Sequence, residues 1–232
     1  MISADLTQFI NTYESIGGVI TYFSQSNIAG QFIIILLIIA SLVAWTLMIG
    51  KSVELNRANK SNGKVERDLA RLNNILELTH ESLPINNCAY ADLVSEAIQA
   101  FYRHNGEDKE DKAIRMGHVE NALQRAVAKN TIHYESKMVF LGSIVTGAPF
   151  FGLLGTVWGV MDAFGAISLK GGGTLQNLAP GVSGALLTTV AGLLVAIPSV
   201  FGYNYLLTQS KISITEMENF ASTLADRIEL DS

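Results

Sequence analysis

The chain has 232 residues, of which 49% are hydrophobic and only 16% are charged, so it is apolar for its length. Asp and Glu outnumber Lys and Arg by 21 to 16, and no separate basic stripe is present. This balance argues against a nucleic-acid partner, and the apolar composition favours a membrane protein over a soluble domain.

The first predicted element is a transmembrane helix over residues 28–50. This stretch carries no charged side chain, and at about 1.5 Å per residue its helix reaches roughly 34 Å, enough for the hydrocarbon core. Because no Lys or Arg precedes Lys51, the N-terminus lacks the basic region of a cleaved signal peptide, and we expect the span to remain as an anchor. Its Ile- and Leu-rich composition predicts a lipid-facing helix.

Most of the charge lies in residues 51–137, which contain 13 Lys or Arg and 13 Asp or Glu. Val119, Leu123 and Val127 recur every four residues, as on the apolar face of a helix. We therefore predict a helical domain here. The single cysteine, Cys88, has no pairing partner and no histidines at ligand spacing, so neither a disulfide, a metal site nor another cofactor is expected.

Two further apolar stretches predict transmembrane helices at 138–168 and 178–207, joined by a turn over 169–177 and followed by a tail over 208–232. Pro149 and Pro198 lie inside these helices and are predicted to kink them, because proline has no N–H to donate. Pro180 suits the first turn of the third helix. The fold class predicted is therefore all-α, with three spans whose long helices extend into a cytoplasmic helical domain.

Cations flank the three spans unevenly. They follow the first span from Lys51 onward, precede the second at Arg125, Lys129 and Lys137, and return after the third at Lys211. Lys and Arg beside a span are retained in the cytoplasm. We therefore expect residues 1–27 and the turn to be periplasmic, and the 51–137 domain and the C-terminal tail to be cytoplasmic.

Small residues recur at intervals of four in the second and third spans, a spacing that allows close helix packing in lipid. The second span has one such file and the third has two: Gly155, Gly159, Ala163; Gly181, Ala185, Thr189; and Gly184, Thr188, Gly192, Ala196. These residues predict that both helices pack tightly within a bundle.

Hydroxyl groups accompany these files at Thr156, Thr188 and Thr189. A threonine inside a membrane often bonds to its own helix, whereas several on one packed surface can line a hydrated path between helices. Both interpretations stay open at this point. Asp162 lies six residues beyond Thr156, about 9 Å toward the outer face, where an acid at the membrane interface is favoured over a proton relay.

Motifs for enzymatic activity are incomplete. "GKS" at 50–52 lacks the glycine that a phosphate-binding loop places five residues earlier. "GVSGA" at 181–185 lacks the final glycine of a nucleophile elbow, and no histidine base accompanies it. We therefore expect no enzyme, but a membrane protein of transport or scaffolding type.

Two segments carry a family resemblance: "APFFGLLGTVWGVMDAF" (148–164) and "LAPGVSGALLTTVAGLLVAIPSVFGYN" (178–204), with a shorter match in "AWTLMIGKSVEL" (44–55). They resemble the ExbB/TolQ proton-channel proteins of bacterial inner membranes, which are related to the flagellar stator subunit MotA. The resemblance covers all three spans. It implies a homo-oligomeric ring, in the family a pentamer, that couples the proton-motive force to work on a TonB- or TolA-like envelope protein.

The resemblance also implies a second partner, an ExbD/TolR-like single-span subunit whose intramembrane Asp is protonated and released. Thr156 and Thr189 match the family threonines that line the path to that acid. One position departs from the family, which commonly has a glutamate where this chain has Gly184, and Asp162 is one candidate to replace that acid. A non-conducting scaffold or secretion-accessory subunit and a sodium-driven stator are the alternative functions.

Overall fold

The computed structural model describes residues 19–24, 26–72, 75–77, 88–103, 109–170 and 175–231. Regular structure in these residues is entirely helical, which confirms the predicted all-α class. Five long helices are present in the described part of the chain: α1 Ile28–Ala70, α2 Ala89–Tyr102, α3 Lys109–Glu135, α4 Met138–Lys170 and α5 Leu175–Asp231. Most of the predicted periplasmic segment (1–18) and the centre of the predicted turn (171–174) lie outside the described residues.

Three stretches are long and apolar enough to cross a membrane. They are α1, residues 112–168, which include most of α4, and residues 178–231 of α5. Helices α1 and α5 have 43 and 57 residues, respectively, about twice and nearly three times the roughly 20 residues that a bilayer requires. Each therefore continues as a helix well beyond its apolar part, as predicted for long helices that extend out of the spans.

Helix α5 begins earlier than expected. The prediction that Pro180 occupies the first turn is wrong, because the helix starts at Leu175 and Pro180 is its sixth residue. The preceding "LQNLA" consists mostly of good helix formers, which extend the helix toward its N-terminus. Pro149 and Pro198 lie inside α4 and α5, which continue through them; the predicted kinks stay predictions.

The chain divides into two compact units, each built from separate segments. Unit 1 comprises Met1–Met48 and Phe140–Tyr203, and unit 2 comprises Ile49–Val139 and Asn204–Ser232. The boundaries fall near the predicted span ends at residues 50, 138 and 207. Unit 1 thus holds the apolar parts of α1, α4 and α5, and unit 2 holds the charged remainder with α2 and α3.

Unit 1 has a small buried core and a large apolar surface. Its core consists of Ile33, Leu37, Ala148, Val195 and Ala196. Large apolar side chains are exposed on all three of its helices, among them Phe32, Ile38, Leu42, Trp45, Phe150, Val157, Trp158, Met161, Leu194 and Ile197. A surface this apolar has to be covered by lipid or by other protein subunits, which agrees with a membrane location.

Unit 2 has its own hydrophobic core. Leu93, Val94 and Ala97 of α2 are fully buried, as is Val119 of the predicted apolar face of α3. The ring of Tyr90 stacks on that of Phe220 with 3.9 Å between centroids, and burial raises the pKa of the Tyr90 hydroxyl to about 12. Cys88 is buried as a free thiol, and burial raises the pKa of this thiol.

A cluster of charged side chains in unit 2 joins α1 to the junction between α3 and α4. The Glu54 carboxylate lies 2.6 Å from Nζ of Lys51, 3.3 Å from Nζ of Lys137 and 3.5 Å from Nε2 of His133. The Lys51 side chain is only 1% exposed and also donates to the carbonyl of His133. Burial acts to raise the pKa of Glu54, but Lys51 and then Lys137 bring its pKa below the ordinary value.

Candidate functional site

Helices α4 and α5 run antiparallel in unit 1 and touch through small residues. A Cβ atom added to Gly159 would lie 2.6 Å from Cβ of Ala185, and one added to Gly155 would lie 2.6 Å from Cβ of Thr188. At the next contact along the helices, a Cβ atom added to Gly181 would lie 3.1 Å from Cβ of Ala163. Real Cβ atoms rarely approach this closely, so the glycines allow the two backbones to meet.

Gly152, a residue absent from the predicted packing files, also lies directly against the backbone of α5. A Cβ atom on Gly152 would lie 2.9 Å from the carbonyl oxygen of Thr188, and one on Gly192 would lie 2.7 Å from that of Ala148. The signal for Gly152 was present in the sequence, because Ala148, Gly152 and Thr156 also follow one another at intervals of four.

Three hydroxyls gather around the carbonyl oxygen of Gly152. Oγ1 of Thr188 lies 2.9 Å from it, Oγ1 of Thr189 lies 3.2 Å away, and Oγ1 of Thr156 lies 3.4 Å away. Thr156 and Thr189 also contact each other across the two helices, with 3.1 Å between their hydroxyl oxygens. The structure therefore brings together the two threonines that the family resemblance places on the proton path.

The hydrogens of this hydroxyl pair are already engaged by the protein. Thr156 donates to the carbonyl of Leu153 at 2.7 Å, and Thr189 has Gly152 O and Thr156 Oγ1 as acceptors. A hydroxyl has one hydrogen and two lone pairs, so lone pairs remain to accept from a further donor. Both side chains are half-buried. The two hydroxyls can therefore accept a hydrogen bond from a further group, such as a water molecule or a protonated carboxyl.

Thr188, the third predicted path residue, lies deeper in the same contact. Its side chain is 0% exposed, and its hydroxyl is within hydrogen-bond distance of the carbonyls of Ala185 (2.6 Å) and Gly152 (2.9 Å). It is enclosed within the α4–α5 contact, so in the single chain a third group reaches Thr156 and Thr189 but not Thr188.

Asp162 is exposed near the far end of α4 and accepts a hydrogen bond from the side-chain amide of Asn27 at 3.3 Å. The amide oxygen of Asn27 in turn accepts the backbone N–H of Gly30 at 2.7 Å, which caps the start of α1. Asp162 thus helps to hold α4 to the start of α1. Sequence reasoning missed Asn27, since no local pattern reports a contact 135 residues away.

Gly184 packs against the chain just before α1. A Cβ atom on Gly184 would lie 2.7 Å from Oγ of Ser26 and 3.0 Å from its backbone nitrogen, and Ser26 Oγ donates to the carbonyl of Gly184 at 3.1 Å. A glutamate, which the family commonly has at this position, does not fit while Ser26 occupies this place. Glycine at this position is what allows Ser26 to pack against α5.

The chain matches known proteins over most of its length. Residues 90–219 match the profile of the "MotA/TolQ/ExbB proton channel family". The chain is 31% identical over 202 residues to "Biopolymer transport protein ExbB" of Neisseria meningitidis serogroup A, covering 84% of this chain and 90% of that protein. It is 26% identical over 200 residues to "Tol-Pal system protein TolQ" of Pseudomonas aeruginosa, covering 85% of this chain and 87% of that protein.

A third relative is the TolQ protein of Haemophilus influenzae, 30% identical over 190 residues, with 79% of this chain and 82% of that protein covered. The family profile spans more than half of the chain, including α3, α4 and most of α5. Together with the three apolar helices and their small-residue contacts, these similarities confirm the family indicated by the sequence motifs. The chain is a membrane protein and belongs to the MotA/TolQ/ExbB proton channel family.

Proposed function

We propose that the chain is the ring-forming subunit of a proton-driven complex in the bacterial inner membrane. In this proposal the ring, a pentamer, surrounds the transmembrane helix of an ExbD/TolR-like subunit that carries an intramembrane Asp. The complex passes the energy of the proton-motive force to a TonB- or TolA-like envelope protein. The N-terminus is periplasmic, the 51–137 domain and the 208–232 tail are cytoplasmic, and the three spans are those given above.

The observation that carries this proposal is the contact between Thr156 and Thr189, 3.1 Å apart on half-buried, glycine-packed helices. An ionised carboxylate in an apolar cavity is strongly disfavoured, so such a site raises the pKa of an acid unless polar groups solvate it. The hydroxyl pair supplies those polar groups without a charge of its own. Thr188 is enclosed between the helices, and we assign it the role of holding α4 and α5 together.

Protonation changes how the partner's acid interacts with this pair. A neutral carboxyl donates its O–H to a free lone pair of Thr156 or Thr189 as they stand. An ionised carboxylate instead needs hydroxyl hydrogens, which the threonines supply only by turning away from Leu153 and Gly152. Gain or loss of a proton therefore shifts the population of partner positions, and each proton that crosses 100 mV releases about 2.3 kcal/mol to drive the shift.

The exposed apolar surface of unit 1 supports assembly into a ring. Phe150, Val157, Trp158 and Met161 of α4 are each about half exposed or more, although α4 has few bulky residues on its α5 side. A second copy of the chain or lipid has to cover this face. In the proposed ring, this exposed face of α4 contacts the neighbouring subunit.

Proton flux in liposomes tests the function directly. The chain is reconstituted with and without the single-span subunit, a potential is imposed, and internal pH is followed with an entrapped dye. We expect uptake of protons only when both proteins are present and when the partner's Asp is intact. Absence of flux from the complete complex would favour the scaffold function, and flux that requires Na⁺ and stops when K⁺ replaces it would favour a sodium-driven stator.

A further inference from the structure

An open, positively charged cleft in unit 2 begins where α1 leaves its apolar stretch. It has a volume of about 1420 Å³ and lies between α1, the start of α2 and the end of α3. That volume exceeds the roughly 300–1,000 Å³ of ordinary small-molecule pockets. None of the residues assigned above to the proton path lines it, so any ligand of this cleft belongs to a separate site.

Cations dominate the cleft. Arg57 and Lys64 of α1, seven residues apart, lie on the same face of the helix, and Lys129 of α3 lines the cleft with them. Asp92 and Glu54 are the acids in the lining, and Glu54 is neutralised by Lys51 and Lys137. With these two lysines counted, five cations lie at or beside the cleft against two acids.

The three lining cations are free to bind a ligand. All three are exposed, and within the described part of the chain their side chains form no hydrogen bond or ion pair. Arginine holds phosphate oxygens through paired N–H donors, and lysine adds a compact charge. An oxyanion, above all a phosphate, therefore matches this end of the cleft.

The other end of the cleft presents exposed apolar side chains beside polar ones. It is lined by Gly50, Val53 and Ile132 together with Glu54, His133 and Ser136, and the side chains of Val53 and Ile132 are 53% and 73% exposed. Gly50 is the last residue of the uncharged stretch of α1, so this end adjoins the apolar surface expected to contact lipid. A ligand that satisfies both ends carries a phosphate at one end and hydrocarbon at the other.

We propose that this cleft binds the headgroup of an anionic phospholipid, with the phosphate between Arg57, Lys64 and Lys129 and the first part of the acyl chains against Val53 and Ile132. Basic pockets beside transmembrane helices favour such lipids. The charge balance argues for an anionic lipid over a zwitterionic one. The proposal depends on the membrane location of the chain and not on proton conduction.

A thermal-shift titration of the full chain in neutral detergent tests this site. Phosphatidylglycerol, phosphatidylcholine or inorganic phosphate is added, and the unfolding midpoint is recorded. We expect phosphatidylglycerol to raise the midpoint clearly more than the other two additives do. Stabilisation by inorganic phosphate to the same extent would contradict the lipid assignment, and so would the absence of any difference between the two lipids.

Two double variants locate the effect. Arg57→Gln with Lys129→Gln removes two cleft cations, and we expect the half-saturating mole fraction of phosphatidylglycerol to rise about thirtyfold. Lys60→Gln with Arg125→Gln removes the same charges from exposed positions on the same helices outside the cleft, and it is expected to behave as wild type. Equal behaviour of the two variants would overturn the proposal, whether both bind as wild type or both lose binding.

Discussion

Gly152 and Gly192 face each other where α4 and α5 meet, and each Cα would lie within 3.3 Å of a Cβ added to the other residue. No side chain fits between two backbones at this separation. The contact between α4 and α5, which presents Thr156 and Thr189, therefore depends on glycine at both positions.

Replacing Gly152 with Ala is expected to lower the free energy of unfolding by about 1–3 kcal/mol, because the new methyl group meets backbone that cannot move aside. The matched control is Gly165→Ala in the same helix, where an added Cβ has no neighbour within 4 Å. There, alanine is expected to stabilise the helix by about 0.5–1 kcal/mol. Denaturant unfolding in detergent measures both, and changes of the same sign would contradict the packing account.

Introducing the family's glutamate tests the steric account of Gly184. Both Gly184→Ala and Gly184→Glu are expected to destabilise unit 1, since even a Cβ would lie 3.0 Å from the backbone nitrogen of Ser26. The thermal midpoint and the folded fraction on size exclusion report the loss. If Gly184→Ala behaved as wild type and only the glutamate were harmful, burial of a charge rather than the contact with Ser26 would be responsible.

Two substitutions distinguish the effect of the Asp162 charge from the effect of its hydrogen bond. We expect Asp162→Asn to keep both stability and proton flux, because an amide oxygen still accepts from Asn27. We expect Asp162→Ala to lose about 0.5–1.5 kcal/mol of stability, the usual value of a single hydrogen bond. A proton flux abolished by Asp162→Asn at unchanged stability would instead place this acid on the proton path.

The Glu54 cluster predicts a specific pH dependence. Glu54→Gln is expected to cost about 2–3 kcal/mol at pH 7–8, near the lower end for a broken buried pair, because Lys51 is left buried without its carboxylate. The pKa of Glu54 is lowered on folding. Its stabilisation is therefore complete above the ordinary value of 4.5 and is lost as the pH falls through the lower folded value.

Unfolding free energies of wild type and Glu54→Gln measured across this pH range check the prediction, since the two are expected to converge in acid. Lys137→Gln serves as the control. The Lys137 side chain is 57% exposed, and loss of an exposed pair is expected to change stability by at most about 1 kcal/mol. A constant difference between wild type and Glu54→Gln down to the lowest pH would show that the carboxylate charge is not what stabilises the cluster.

The helical fold and the membrane character could be predicted because they depend on local pattern. The uncharged run of residues 28–50 and the spacing of Val119 and Leu123 are each visible within a few turns of helix. The start of α5 was missed by three residues, because Gln176 and Asn177 are polar and follow a glycine-rich run, although Leu and Gln are good helix formers.

The site could be predicted only in part. The small-residue spacing indicates that α4 and α5 pack closely, and the family resemblance singles out Thr156 and Thr189. The engagement of Thr188 inside the contact, and the approach of Ser26 to Gly184, depend on which faces of distant segments meet. Contacts separated by 36 and 158 residues leave no periodic trace in a single sequence.

The most direct test of the central claim is the proton flux per complex when the hydroxyls of Thr156 and Thr189 are removed and then restored. The double valine variant loses both hydroxyls at nearly constant shape, and the double serine variant keeps them. Thr146→Val is the control, because Thr146 bonds only to its own helix within the described residues. We predict a loss of about fivefold to 150-fold with valine, since an unsatisfied buried polar group costs about 1–3 kcal/mol, and substantial flux with serine. Wild-type flux from the double valine variant would contradict the account.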